Sequence, residues 1–390
     1  MYSFNKHNPK IIPVLPAKQK NFLDKSGYLV RQLKYLIGLQ ALLGDNRLYL
    51  LKPKKILVWT SYIHTFSSIT MLFYSLFQNN YYGATYIVFK CTSCIEFFIL
   101  VFTSTFIHRK TQREFFKNLE SFDTYLKIDK EVNTLMPSYR NILWVVLSSI
   151  ITVGEYFILI ESQLQYSMTN LTIMVHDAEQ IFFCAMLRAI LLRVRIVKAH
   201  VVRVCNPKDT KKVESLDKVE VLSKNVQIDI SSLHEVYESL HRCSEQLNSV
   251  MSLPMMTMLL SSGLSTIILL KYAFAIFQSD DEPKDRALLV FILIRCIKYT
   301  ALVIIPCYYS SMTTTQVSII RKTLHDALNN TQFDRTECRK LKAFFQLTRD
   351  SEFAYALWGV INLNMSLPLS YISLCTTYLV IIIQFSKFID

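Results

Sequence analysis

The chain has 390 residues, of which 51% are hydrophobic, 13% aromatic and 19% charged, with a mean hydropathy of +0.26. Soluble domains carry about 25% charged residues, and seven glycines, ten prolines and nine scattered cysteines exclude a disordered or collagen-like chain and a small disulfide scaffold. A net charge of +13 would suit a nucleic-acid binder, but the basic residues lie between long apolar runs, which points to a membrane and away from nucleic acid.

A spanning helix needs about 20 mostly apolar residues to cross a hydrocarbon core of about 30 Å. Seven stretches qualify in chain order: Ile56–Phe77, Tyr82–Ile107, Ile142–Ile160, Thr169–Leu192, Leu253–Phe277, Ala287–Tyr309 and Val360–Phe385. The second carries Lys90 and Glu96, and the fourth carries His176, Asp177 and Glu179. The chain therefore reads as an all-α, seven-pass membrane protein. No charged n-region with a short apolar core and cleavage site opens the sequence, so no cleavable signal peptide is expected and the first span would direct its own insertion.

Lys and Arg accumulate in cytoplasmic loops because basic loops resist translocation. Eleven precede the first span, seven lie between the second and third, ten between the fourth and fifth, and seven between the sixth and seventh. Only Lys284, Arg286 and Lys387 fall on the opposite side. This distribution predicts a cytoplasmic amino terminus and an extracellular carboxyl terminus. The sequon Asn170-Leu171-Thr172 then sits at the outer start of the fourth span and marks Asn170 as a glycosylation candidate. Every loop cysteine falls on the reducing side, so no disulfide is expected. Cys91-Thr92-Ser93-Cys94, inside an apolar helix without a second pair, reads as packing rather than a metal or redox site.

The outer loops are short, so a ligand arriving from outside must bind among the helices. The inner loops are long and read as helical extensions. Val236-Leu240-Cys243-Leu247 follows helical spacing, and Leu341-Phe344-Phe345 continues a similar pattern after Arg335. These extensions either pack into an assembly platform below the membrane or lie on the bilayer as amphipathic helices. The predicted division is a cytoplasmic amino-terminal segment over 1–55, six helices with an outer ligand pocket over 56–310, and a cytoplasmic anchor over 311–352. A seventh helix over 353–385 and a tail over 386–390 complete it.

An enzyme is not indicated. Of eight histidines only His64 and His176 lie in spans, too few for a membrane zinc site, and neither a G-x-S-x-G elbow nor a Gly-rich phosphate loop occurs. No metal or cofactor is expected. Ionisable residues within a bilayer are costly and are functional candidates until explained. Glu96, Glu155, Asp177 and Glu179 match Lys90, Lys271, Arg295 and Lys298 in number, which points first to mutual pairing. Depth offers a second reading: Tyr86, Lys90, Glu155, Tyr156, His176 and Asp177 fall in the outer halves of their spans. There they could form a pocket for a small organic molecule. Arg295 and Lys298 lie deeper and would tie the sixth span to its neighbours.

The seventh span carries the clearest pattern. At 100° per residue, Asn362, Ser366, Ser370, Ser373, Thr377 and Gln384 fall within an arc of about 80°, broken only by Val380. Such a line serves either close helix approach through small hydroxyl residues or the water-facing wall of a pore, with Val380 at a dewetting constriction. One helix cannot enclose a pore, so the second reading requires several subunits.

Thr377-Tyr378, five apolar residues and Gln384-Phe385 resemble the signature that ends insect gustatory receptors, and Gly359 to Leu367 is similar to that family's entry into its last helix. The resemblance implies a ligand-gated, weakly selective cation channel in the plasma membrane of sensory neurons, at the dendrite. It also implies assembly as a homotetramer, or as a heteromer with related receptors, around one central pore in membrane lipid. Gln384 and Phe385 would stand at the gate with Val380, Thr377, Ser373 and Ser370 along the pore, and Tyr378 would hold the helix against its neighbours. The helical stripe itself puts Phe385 at its edge. Sugar-sensing members often carry Glu directly after the motif Tyr; Leu379 stands there in this chain, so a bitter or otherwise aversive tastant is expected. A G-protein-coupled receptor is the alternative, but its amino terminus would lie outside, against the Lys and Arg distribution. A solute transporter would show internal repeats and matched interrupted helices, which the sequence lacks.

Overall fold

In a computed structural model, residues 28–51, 55–77, 84–126, 143, 146–151, 166–205, 229–278, 283–329 and 333–389 are described. Nearly all of them are helical. Two short helices, α1 (Tyr28–Gln32) and α2 (Lys34–Leu42), and a 3-10 turn at Leu48–Leu50 precede α3 (Lys55–Phe77) and α4 (Ala84–Phe102). A π-helical turn at Thr103–Ile107 links α4 to α5 (Arg109–Tyr125). The long helices α6 (Tyr166–Cys205), α7 (Ile230–Gln278) and α8 (Pro283–Asn329) follow. Then come α9 (Arg335–Asp350), a hairpin of β1 (Ala356–Leu357) and β2 (Ile361–Asn362), and α10 (Ser366–Ile389). Among the described residues, four helices are long and apolar enough to cross a membrane: α3, α4, α7 and α8. The expected third span lies mostly outside the described residues, while the fourth forms part of α6.

The core is the mutual packing of α6, α7 and α8. At 1.5 Å per residue the 49 residues of α7 extend about 74 Å, far beyond a hydrocarbon core. Its amino-terminal half is the predicted amphipathic extension, with Val236, Leu240, Cys243 and Leu247 all buried. Helix α9 packs on α7 and α8 rather than standing alone. Asp334 caps it by accepting from the Arg335 amide at 2.7 Å, and Leu341, Phe344 and Thr348 form its buried face. The Tyr237 ring meets Phe344 and Phe353 edge-on at 5.6 and 5.4 Å.

The hairpin turns through Trp358 and Gly359, both at positive φ, 51° and 68°. Within this three-residue connection the Leu357 carbonyl accepts from the Val360 amide at 3.0 Å, closing a turn whose two central residues are left-handed and which favours glycine at the second. Side chains of α7 hold the hairpin: Asn248 accepts from the Ala356 amide at 3.1 Å and Ser252 from the Trp358 amide at 2.7 Å. Residues 28–51, expected as a cytoplasmic segment, pack on the helices. Gly44, at φ +96°, ends α2, and a Cβ there would sit 3.1 Å from Ser68 Oγ. Beyond the turn, Asp45 accepts from Ser104, Tyr49 donates to Gln112 at 2.6 Å, and Arg47 forms a bidentate pair with Glu179 of α6. The Arg47 guanidinium also lies 4.1 Å over the Phe182 ring.

Candidate functional site

Helices α4, α6, α7 and α8 converge on a buried polar cluster. Glu96 of α4 accepts from His176 of α6 and from Ser261 of α7, the latter at 2.5 Å. Asp177 accepts from Lys298 of α8 at 2.9 Å and from Ser148. Tyr299 sets its ring edge-on to His176 at 5.7 Å, and Arg295 and Lys298 lie 5.5 and 5.2 Å from that same ring. Charges so far from water hold their places only through such pairing. A cavity of about 10 Å³ remains at the centre, bordered by Ser93, Glu96, His176, Tyr299 and the α7 serines Ser261, Ser262 and Ser265. That volume holds a single water, so a larger guest requires the helices to part.

The pairing expected of the intramembrane charges is found for Asp177 with Lys298, whereas Glu179 takes its partner from outside the spans, Arg47. Of the six pocket residues expected from depth, His176 and Asp177 lie side by side in this cluster. Lys90 is buried on α4. Tyr86 belongs to α4, but its side chain lies outside the described ones, as do Glu155 and Tyr156 altogether. Asn170 is in the first turns of α6, with its side chain likewise outside. Depth alone missed the roles of Glu96, Tyr299 and the α7 serines. The signal was present in Ser261-Ser262-Gly263-Leu264-Ser265-Thr266, a polar interruption of an apolar run. Among the described residues no three His, Cys, Asp or Glu side chains come together as a metal site.

The same stretch of α7 also touches α10. Thr266 Oγ1 lies 3.1 Å from the Tyr371 hydroxyl, Ser262 lies beside that hydroxyl, and the Cys375 thiol points to the Gly263 carbonyl at 3.9 Å. A Cβ on Gly263 would be 3.5 Å from the Tyr371 ring, an ordinary van der Waals contact, so the two helices are close here without requiring a glycine. Ser262 thus borders the cavity on one side and the last helix on the other.

Helix α10 meets the rest of the chain along a narrow seam at Tyr371 and Cys375, against α7 and α8. Asn362, expected on the last helix, belongs instead to β2, because the chain turns through the hairpin before α10 begins at Ser366; Ser366, Ser370, Ser373, Thr377, Val380 and Gln384 of α10 are all exposed. At 100° per residue the centre of that line lies about 180° from the seam. Exposed apolar residues flank it on both sides, Leu374, Tyr378 and Ile381 on one and Leu369 and Ile372 on the other. Phe385 belongs to α10, with its side chain outside the described ones.

A family model described as "7tm Chemosensory receptor" matches residues 55–389. Among solved structures, the insect olfactory receptor OR5 from Machilis hrabei is similar over 92% of this chain and 98% of its own, with a TM-score of 0.62 and 12% identity. The same receptor in complex with eugenol gives a TM-score of 0.63 and 13% identity over the same shares. At these identities the likeness is one of fold. No curated protein matches the chain in sequence.

Proposed function

Because this chain belongs to the 7tm chemosensory receptor family, and is therefore a multi-pass membrane receptor and not an enzyme, we propose that it is a gustatory-type, ligand-gated cation channel. Seven helices cross the plasma membrane of a sensory neuron with the amino terminus inside and the carboxyl terminus outside. Residues 311–352 anchor the assembly in the cytoplasm; the hairpin before α10 packs on α7, so the conduit lining expected over 353–385 is confined to α10, from Ser366 onward. Four copies of α10, in a homotetramer or a heteromer with related receptors, set their polar lines around one axis. The observation that carries this reading is the exposed polar line of α10 directly opposite its packed seam, with apolar flanks placed to meet two neighbours. Val380, Gln384 and Phe385 form the gate, Thr377, Ser373 and Ser370 continue the wall, and Tyr378 steadies the helix from its flank.

The ligand is a small organic molecule, bitter or aversive, entering from outside into the cluster around His176 and Asp177. The eugenol complex of the Machilis receptor supports a ligand of that size. Carboxylates, serine hydroxyls and an aromatic ring favour a guest with hydroxyl or amine donors on an apolar body. A ligand shifts a two-state equilibrium only through differential affinity. A cavity too small in the closed arrangement supplies that difference, since binding parts α4, α6 and α7, and the 261–266 segment passes the shift to Tyr371 and α10. Expression in a heterologous cell with a panel of tastants tests the proposal. Ligand-evoked cation currents whose permeation changes in Gln384→Ala are expected, and evoked currents unaltered by that change would remove α10 from the conduit. An amino-terminal epitope tag inaccessible on intact cells is also expected; a tag exposed there would favour the G-protein-coupled alternative.

A further inference from the structure

Helix α3 is the least enclosed of the four candidate spans among the described residues: 22% of it is buried. It packs on α4 and the amino-terminal segment, whereas α10 packs on α7 and α8. With α10 at the axis of an assembly, α3 belongs to the periphery and faces lipid. Its exposed side is patterned. Trp59, Tyr62, Phe66 and Phe73 fall within about 60° of one another at 100° per residue. On α4 and the π-helical turn that follows it, Phe98, Phe102 and Phe106 recur every four residues, with ring centroids 5.6 and 5.4 Å apart. The two rows join, Phe73 to Phe98 at 6.4 Å and Tyr62 to Phe106 at 6.2 Å. The result is an aromatic wall across two helices and the turn after α4, exposed except at the half-buried Tyr62.

That wall ends on positive charge. Arg109 Nη1 donates to the Tyr62 hydroxyl at 2.8 Å, fixing the first turn of α5 against the foot of the wall. Lys110 follows, its side chain 90% exposed, and Arg113 is exposed one turn on. Lys55 is exposed at the start of α3, one turn before Trp59. Glu114, 4.0 Å from Lys110, is the acidic group paired there, and neither α3 nor the first turn of α5 contributes an acid. Apolar rings at hydrocarbon depth, a Trp at the boundary and a surplus of cations just past it match a lipid with a negative headgroup.

We infer that the α3–α4 face is a binding site for an anionic glycerophospholipid of the cytoplasmic leaflet. Its acyl chains lie along Phe98, Phe102 and Phe106, and its phosphate and headgroup acid lie among Lys55, Lys110 and Arg113. The leaflet assignment rests on the orientation proposed above; the site itself does not. Each basic residue near the surface changes affinity for acidic lipid roughly fivefold, which sets the scale of the test.

The full-length receptor is purified from mixed micelles containing phosphatidylserine and phosphatidylcholine, and retained lipid is read by native mass spectrometry. The wild type should retain phosphatidylserine at least about fivefold over phosphatidylcholine. Lys55→Glu with Lys110→Glu, both at exposed side chains, should bring the ratio to parity without lowering the melting midpoint. Phe102→Ala with Phe106→Ala should lower retention of both lipids. Equal retention by the wild type, or an undiminished ratio in the lysine variant, overturns the inference. So does a change in the mass of the oligomer in either variant, which would make this face a subunit contact. Retention in micelles does not depend on which way the chain crosses a bilayer, so a misassigned orientation and an absent site give different results.

Discussion

Tyr371 stands where the polar cluster and the last helix meet, and its hydroxyl is the group through which Thr266 and Ser262 of α7 reach α10. Removing it in Tyr371→Phe keeps the ring against Gly263 and loses one hydroxyl hydrogen bond, about 0.5–1.5 kcal/mol. The half-maximal ligand concentration should therefore move by about two- to tenfold, with surface abundance unchanged; a concentration–response series checks this. An unchanged midpoint would place the coupling elsewhere on α10. At this scale the sequence was legible where period alone decides. The line from Ser366 to Gln384 needs only 100° per residue to be seen, and the structure exposes every member described. His176 was found because charge at hydrocarbon depth is costly. Glu96 was flagged for the same reason, but its partnership with His176 and Ser261 depends on which faces of three helices turn inward, and apolar surroundings on all sides leave no periodicity to reveal that.

Elements beyond the spans are held by the same device as the polar cluster, paired charge in an apolar setting. Asp123 of α5 receives two hydrogen bonds from Arg193 of α6, whose Nη1 also donates to the Ala189 carbonyl at 2.8 Å. Truncation in Asp123→Ala leaves a buried guanidinium uncompensated and should cost about 3–5 kcal/mol, seen as a lower melting midpoint. Replacing both partners by Leu and Met should cost much less. Further along α6, burial and the neighbouring Arg203 push the His200 imidazole down to about 4 from its ordinary 6.5. The unfolded chain then binds the extra proton between those values, so this contribution to stability is complete above about pH 6.5 and is lost as pH falls toward 4. At pH 5 the loss reaches roughly 2 kcal/mol. Comparing melting at pH 7.5 and 5.0, the wild type should fall further than His200→Gln; equal falls would show that the imidazole does not contribute. The extension at Val236-Leu240-Cys243-Leu247 was readable because one of its faces is polar. The partner of Glu179 was not: Arg47 sits in a basic segment whose charge count resembles an ordinary cytoplasmic tail, and only the turn at Gly44 brings it to α6.

Over the whole molecule, a receptor of this architecture divides its labour by distance from the assembly axis. On the reading proposed above, the α3–α4 wall would face lipid, the α4–α6–α7–α8 cluster would receive the ligand, and α10 would meet its counterparts. A single chain presents α10 with a polar line turned away from its own body and apolar strips on either side, which leaves both water and neighbours to be supplied by assembly. Lipid alone on that side would put the side chains of Ser366, Ser370, Ser373, Thr377 and Gln384 in hydrocarbon, a cost that is reduced where Ser370 and Thr377 donate to the Ser366 and Ser373 carbonyls. The measurement closest to this claim is thiol accessibility during ligand-evoked current. Ser373→Cys, Thr377→Cys and Gln384→Cys, with Leu369→Cys on the apolar flank as reference, are exposed to a charged methanethiosulfonate reagent while the channel is driven open. Progressive change of current in the three line variants and none in the flank variant is the predicted result; currents that persist unmodified in all four would contradict the conduit.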